Sequence, residues 1–234
     1  MPYIQPSIEV FGLRVDEPVT MITDLVVTAV CIYAFVRLSR IPVKNNVHFY
    51  LKYYFLSMGI ATAIGGIIGH GFFYLFDFAW KLPGWLTSMI SVALLERAVI
   101  LYTRKLIHPF LGKLFAWLNI IELATFVIIT FITLNFFFVE VHAAYGLLIV
   151  TTGFSLIVYI KTGNKGSRTF LVAVAVSSLS ALVFMNEWGI GPWFNHFDIS
   201  HLLMAVSAWF FYKGSLLLIK DPLAIPEKTI EKSS

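Results

Sequence analysis

Charge is what this chain has least of. Only 13% of its 234 residues are Asp, Glu, Lys or Arg, while 59% are hydrophobic. An ordinary soluble domain carries about 25% charged residues. So little charge cannot cover the surface of a soluble globule, and so apolar a chain has none of the composition of a disordered one. Cysteine is nearly absent too. Cys31 stands alone inside an apolar run, which excludes an intramolecular disulfide and a thiolate metal cluster. Residues 1–18 lack a basic start followed by an apolar core, so no cleavable signal peptide is read there. No linker, low-complexity stretch, internal repeat, glycine-rich phosphate loop or serine-centred elbow appears along the chain.

What the chain does have is long apolar runs. A helix crossing the hydrocarbon layer needs about 20 mainly apolar residues. Seven such blocks run near 20–38, 48–77, 84–104, 113–137, 141–160, 169–188 and 197–219, and the second is long enough to tilt or project. The pattern predicts an all-α, polytopic membrane protein with seven transmembrane helices in one domain, residues 1–220, followed by a short polar cytoplasmic tail, 221–234.

The basic residues predict the orientation. With the N-terminus outside, the inner loops and tail gather Arg37, Arg40, Lys44, Lys52, Arg104, Lys105, Lys113, Lys161, Lys165, Arg168, Lys213, Lys220, Lys228 and Lys232. Arg14 and Lys81 fall outside, and Arg97 lies within a span. The positive-inside rule therefore predicts an extracytoplasmic N-terminus and a cytoplasmic C-terminus. It also accounts for the pI of about 9.1 without a nucleic-acid partner. The partners this architecture implies are membrane lipids.

Ionisable groups inside a bilayer are costly, so each is a functional candidate. His70 lies near the outer end of the second block and His201 about one turn inside the seventh, with His196 and Asp198 at its mouth. Asp198 and His201 are spaced i, i+3 and so share a helix face, where they could hold one metal ion. His196, five residues before His201, would take part only from the non-helical cap. His70 sits in the run Gly65-Gly66-Ile67-Ile68-Gly69-His70-Gly71, whose small residues let membrane helices approach closely. Two histidines and a carboxylate with an open position suit a catalytic zinc site. On the first block, Glu17, Thr20 and Asp24 form one stripe at i, i+3, i+7, read either as a helix start or as a proton path or second cation site. Bis-histidine haem ligation by His70 and His201 is a weaker alternative.

A second polar group lies deeper. Glu96 and Arg97 fall in the third block, Asn119 and Glu122 in the fourth, and equal depth suggests a buried Arg97–Glu122 ion pair. His142, opening the fifth block, reads as an interfacial histidine bonded to backbone or headgroups. Lys213 lies near an inner helix end where it can snorkel, which argues against a retinal Schiff base. Trp80, Trp85, Trp188 and Trp193 fit an interfacial belt.

Seven helices, a late histidine in the second and the His201-Leu202-Leu203 sequence in the seventh resemble the alkaline ceramidase and adiponectin-receptor-like (progestin and adipoQ receptor) superfamily. The resemblance implies an intramembrane hydrolase fold whose zinc is held by one histidine of the second helix and an H-x-x-x-H pair of the seventh. His70 and His201 match two of those ligands. The position four before His201 is Phe197, so Asp198 or His196 would have to substitute. Gly66 stands where the family has a serine, and Asp77 is the nearest counterpart of its downstream aspartate. The resemblance implies hydrolysis of a hydrophobic lipid amide or ester, as in a ceramidase of lipid metabolism, with Asp77 or Asp24 moving protons. Two other classes remain open. One is a transporter or ion-coupled permease built on Glu96, Arg97 and Glu122 with the outer carboxylates, including Glu17. The other is a non-catalytic receptor with a structural metal.

Overall fold

In the computed structural model, residues 5–42, 45–220 and 223 are described. Among these described residues, seven helices are long and apolar enough to cross a membrane: α1 Pro18–Ser39, α2 Asn46–Gly71, α3 Phe78–Thr103, α4 Pro109–Thr133, α5 Phe137–Thr162, α6 Lys165–Met185 and α7 His196–Lys220. The tail expected at 221–234 lies outside the described residues, apart from Leu223.

The ends of these helices follow local chemistry. Asn45 caps α2 by accepting from the His48 amide at 2.7 Å, and Asn164 caps α6 by accepting from Ser167 at 2.9 Å. Gly163, at φ +67°, closes α5 in the left-handed conformation that glycine adopts without strain. The second apolar block was expected to be helical to residue 77. Instead, the helix ends at Gly71 and the chain continues through a short 3-10 turn, Phe73–Leu75. Similarly, α4 stops at Thr133, where Leu134 takes φ 50° and its amide bonds the Thr130 carbonyl.

Helix α1 buries Thr20, Thr23, Asp24, Val27, Cys31, Ala34 and Leu38. Steps of three and four along that stripe give the seam of a helix packed between neighbours. The neighbours are α2 and α7; α2 also packs on α3, and α6 packs on α7. Helix α5 links α3 to α6, whereas α4 rests outside on α3 and α5 and leaves Trp117, Ile121, Phe131 and Ile132 exposed. The apolar core runs from Val27 on α1 through Phe55, Leu95, Phe154, Phe170 and Phe211. One group of polar residues collects at the end of the bundle where α1 and α7 begin, and a second lies between α3, α4 and α5.

One element falls outside the all-α expectation. Residues Ile8–Val10 and Leu13–Val15 form an antiparallel hairpin, with Ile8 opposite Val15 and Val10 opposite Leu13. Its two-residue turn, Phe11-Gly12, has both φ angles positive, the geometry that matches strand twist in a tight hairpin. The hairpin stands over the start of α1, and the Asp16 amide ties it to the Gly71 carbonyl at the end of α2.

Candidate metal centre

Glycine sets how closely α2 can approach α1. A Cβ added at Gly66 would lie 2.9 Å from the Asp24 Cβ and 3.1 Å from the Met21 carbonyl oxygen. The last two turns of α2, Gly65–Gly71, are π-helical, a local widening common at functional sites. Together these features bring His70 against Asp24. From the other side α7 delivers His201. One ligand atom from each of Asp24, His70 and His201 falls within 4.8 Å of the other two.

The hydrogen bonds around the two imidazoles fix which nitrogen faces inward. The His70 Nδ1 bonds the Glu17 carboxylate, so it carries the proton and leaves the Nε2 lone pair free. Burial works to raise the Glu17 pKa, but the hydrogen bond and charge of His70, with the charges of Lys81 and His196, outweigh it and lower the pKa below its ordinary value. At His201, the Nδ1 lies 3.2 Å from the Thr23 hydroxyl. That hydroxyl spends its single proton on the Thr20 carbonyl, at 3.0 Å, so its oxygen must accept from the His201 Nδ1. Both Nε2 lone pairs then face Asp24: His201 at 3.5 Å from Oδ1 and His70 at 3.9 Å from Oδ2. Asp24 is 5% exposed. Among the described residues, neither of its carboxylate oxygens accepts a hydrogen bond.

The other residues singled out in the sequence have different tasks. Asp198 is fully buried and forms a reciprocal cap with Asn195: its Oδ2 accepts the Asn195 amide at 2.7 Å, and Asn195 Oδ1 accepts the amides of Phe197 and Asp198. Its Oδ1 takes the Thr20 hydroxyl at 2.9 Å, and Gln5 reaches its Oδ2 at 3.4 Å. Asp198 thus locks α7 to α1 and is not one of the three converging groups. His196 is buried with an unpartnered Nδ1, its ring 4.2 Å from that of Phe197, and it too stands apart. Phe197 packs edge-on to His70, with ring centroids 5.4 Å apart. Asp77 is exposed in the loop before α3 and outside the cluster.

Two contributors escaped the sequence reading. Gln5 accepts the Val19 and Thr20 amides, which are otherwise free at the start of α1, and Thr23 orients His201. The stripe read on α1, Glu17, Thr20 and Asp24, does not include Thr23. A cavity of about 440 Å³ opens onto His70, lined by Glu17, Phe73, Phe197, Arg14 and Lys81.

The deeper polar group is built differently from the expected ion pair. Among the described residues, Arg97 and Glu122 form no pair. Glu122 Oε1 is engaged by His142 Nδ1 at 2.6 Å, and Arg97 Nε donates to Asn119 Oδ1 at 3.0 Å. Equal depth on two helices did not put the two side chains on facing sides. His142 is likewise fully buried, with its other nitrogen 2.9 Å from the Met89 carbonyl. Lys213 is exposed and lies over Trp209, as a snorkelling lysine does.

A family model matches residues 19–220, and the chain belongs to that family, DUF6962, a family of unknown function. No curated protein and no solved structure matches the chain.

Proposed function

We propose that this seven-helix protein is a metal-dependent intramembrane hydrolase of a lipid amide or ester, with zinc held by His70, His201 and Asp24. One observation carries the reading: two Nε2 lone pairs and an unbonded, buried carboxylate face one another across 3.5–3.9 Å, with no donor between them. Acceptors facing acceptors in a poorly solvated place need a proton or a metal cation between them, and a metal cation answers all three ligand atoms together. Two imidazoles and one carboxylate, leaving a fourth position open, form the donor set of catalytic zinc. A carboxylate behind the histidine, here Glu17 behind His70, is the usual outer partner that fixes the ring and raises ligand basicity. When bound there, zinc supplies Lewis-acid polarisation of a carbonyl and a water of lowered pKa.

The chain's own residues do the rest. Glu17 and Thr23 hold the two rings, Asp198 and Gln5 hold α7 to α1, and Phe197 walls the site with an apolar face. The cavity over His70 admits a carbonyl from the side of Phe73 and Phe197. Its mixed lining suits a lipid whose linkage is polar and whose chains stay in the bilayer. The placement of the basic residues in the sequence supports an outside location for this end of the bundle, with an extracytoplasmic N-terminus and a cytoplasmic C-terminus. The likeness to the ceramidase and adiponectin-receptor-like superfamily supports the same chemistry, with Asp24 of α1 replacing a histidine of the seventh helix.

Protein purified in mild detergent tests this by metal analysis alongside hydrolysis of N-acyl and ester lipids. The expected result is zinc that depends on His70 and His201, with turnover lost in His70→Ala and in His201→Ala. A folded wild-type protein whose metal content is indifferent to both substitutions would overturn the reading. Metal binding without turnover of any such lipid would favour the receptor reading over the hydrolase.

A further inference from the structure

Glu96 on α3, Glu122 on α4 and His142 on α5 meet in the interior of the bundle, away from the centre described above. Glu96 and His142 are 0% exposed, and the Glu122 side chain is 12% exposed. One ligand atom from each lies within 4.8 Å of the other two. We infer that these three residues form a second, fully internal binding site for a divalent transition metal, Zn²⁺ or Mn²⁺.

His142 carries a proton on the ring nitrogen that faces the backbone. Its Nε2 lies 2.9 Å from the Met89 carbonyl, which can only accept, so Nε2 bears the proton. A neutral ring then presents its Nδ1 lone pair to Glu122 Oε1, 2.6 Å away. Something positive must stand between two acceptors. A single shared proton would answer that contact alone. It would leave Glu96 Oε1 and Glu122 Oε2 buried and without a partner, which both are. Each unmatched carboxylate oxygen in a non-aqueous interior carries a desolvation cost that nothing repays. One cation within reach of all three side chains answers every vacancy at once.

The surroundings fit that occupant. Arg97, the nearest fixed cation, spends its Nε on Asn119 rather than on a carboxylate. Asn119 then passes one donor to Glu96 Oε2, at 3.2 Å, and the same nitrogen to the Ala93 carbonyl. Two carboxylates against one guanidinium leave the pocket net negative with a neutral His142. The bond from His142 to Met89 is the backbone hydrogen bond by which ligating histidines are oriented. Room is made by Gly146, inside the π-helical stretch Tyr145–Thr151 of α5, where an added Cβ would fall 2.5 Å from Glu96 Oε1. A nitrogen and two carboxylate donors suit a borderline divalent ion.

The test uses full-length protein with the first centre removed, His70→Ala/His201→Ala, stripped with chelator and dialysed against Zn²⁺ or Mn²⁺. The expected result is uptake of about one equivalent together with a raised melting temperature, since a ligand bound only by the folded state stabilises it. Adding Glu122→Gln is expected to abolish both, and Glu96→Gln serves as the second, isosteric variant if the first does not fold. A folded double-alanine protein that takes up no metal overturns the inference and leaves a proton-held lock between helices. Uptake unchanged by Glu122→Gln and Glu96→Gln overturns it equally. Metal lost through Glu122→Gln but indifferent to His70→Ala/His201→Ala would sustain this site while refuting the proposed hydrolase centre.

Discussion

The approach of α1 to α2 sets Asp24 against the end of α2 that carries His70, and two glycines of one π-helical stretch allow that approach to be tested. At Gly66 an added Cβ would meet the Asp24 Cβ at 2.9 Å and the Met21 carbonyl oxygen at 3.1 Å, whereas at Gly69 nothing lies within 4 Å. Neither contact atom at Gly66 can swing aside by a rotamer change, because both are fixed by the backbone of α1. The helices would have to part by several tenths of an ångström. Overpacking of this kind costs about 1–3 kcal/mol. Replacing glycine by alanine also gains about 1 kcal/mol in helix propensity, but that gain is common to both positions. The difference between Gly66→Ala and Gly69→Ala therefore isolates the steric cost.

For a chain of this size about 1 kcal/mol moves the melting temperature by about 2–4 °C, so Gly66→Ala should melt about 2–12 °C below Gly69→Ala. Tryptophan fluorescence during heating in one detergent measures both. The same displacement pushes Asp24 from the two Nε2 atoms, so folded Gly66→Ala should hold metal more weakly than Gly69→Ala. If the two variants melt within about 1 °C of each other and bind metal alike, α1 and α2 are not packed as described.

Glu17→Gln keeps the shape of the His70 partner and removes its charge; metal affinity in a chelator competition should fall about 10–100-fold with the fold intact. Asp198→Asn places an amide among the donors of Thr20, Asn195 and Gln5 and should destabilise the protein by about 1–3 kcal/mol in denaturant unfolding. Metal per folded molecule should stay unchanged in that variant, which a ligand role for Asp198 would not allow. Thr23→Val removes the acceptor that orients His201 and should weaken metal binding by isothermal titration while barely moving the melting temperature.

The seven spans were legible because bilayer thickness imposes a length that composition alone reveals. His70 and His201 were legible because charge sorting placed them at one end. Their third companion was harder. The i, i+3 spacing favoured Asp198, since spacing along one helix compares residues of that helix only. Asp24, on another helix, reads as a proton carrier or part of a second cation site rather than as the companion of His70 and His201. Gln5 and Thr23 carried no signal of their own, because a glutamine ahead of a helix and a threonine within one are ordinary. The Arg97–Glu122 pair failed for a related reason: depth fixes height along the bundle normal, and the rotation of each helix decides who meets whom. His142 read as interfacial from its place in the sequence, although it is fully buried and bonded to Met89 of α3 and Glu122 of α4.

Both clusters share a construction that explains why their acids were hard to pair in advance. Asp24 seats against Gly65 and Gly66 where α2 turns π-helical, and Glu96 seats against Gly146 where α5 does. A π-turn shifts the register of every side chain beyond it relative to an α-helix, so α-helical spacing misplaces the residues that follow. His70 lies within the first such stretch. In each case the acid is positioned by a missing side chain on a neighbouring helix rather than by a pattern on its own. The neighbour's glycine and the helix distortion act together: one makes room, the other turns a polar group toward it. An acid held this way meets few donors from its own helix: Glu96 Oε1 is without a partner, and Asp24 has only the two imidazole nitrogens at 3.5 and 3.9 Å facing it, which is the arrangement that both proposed cation sites rest on.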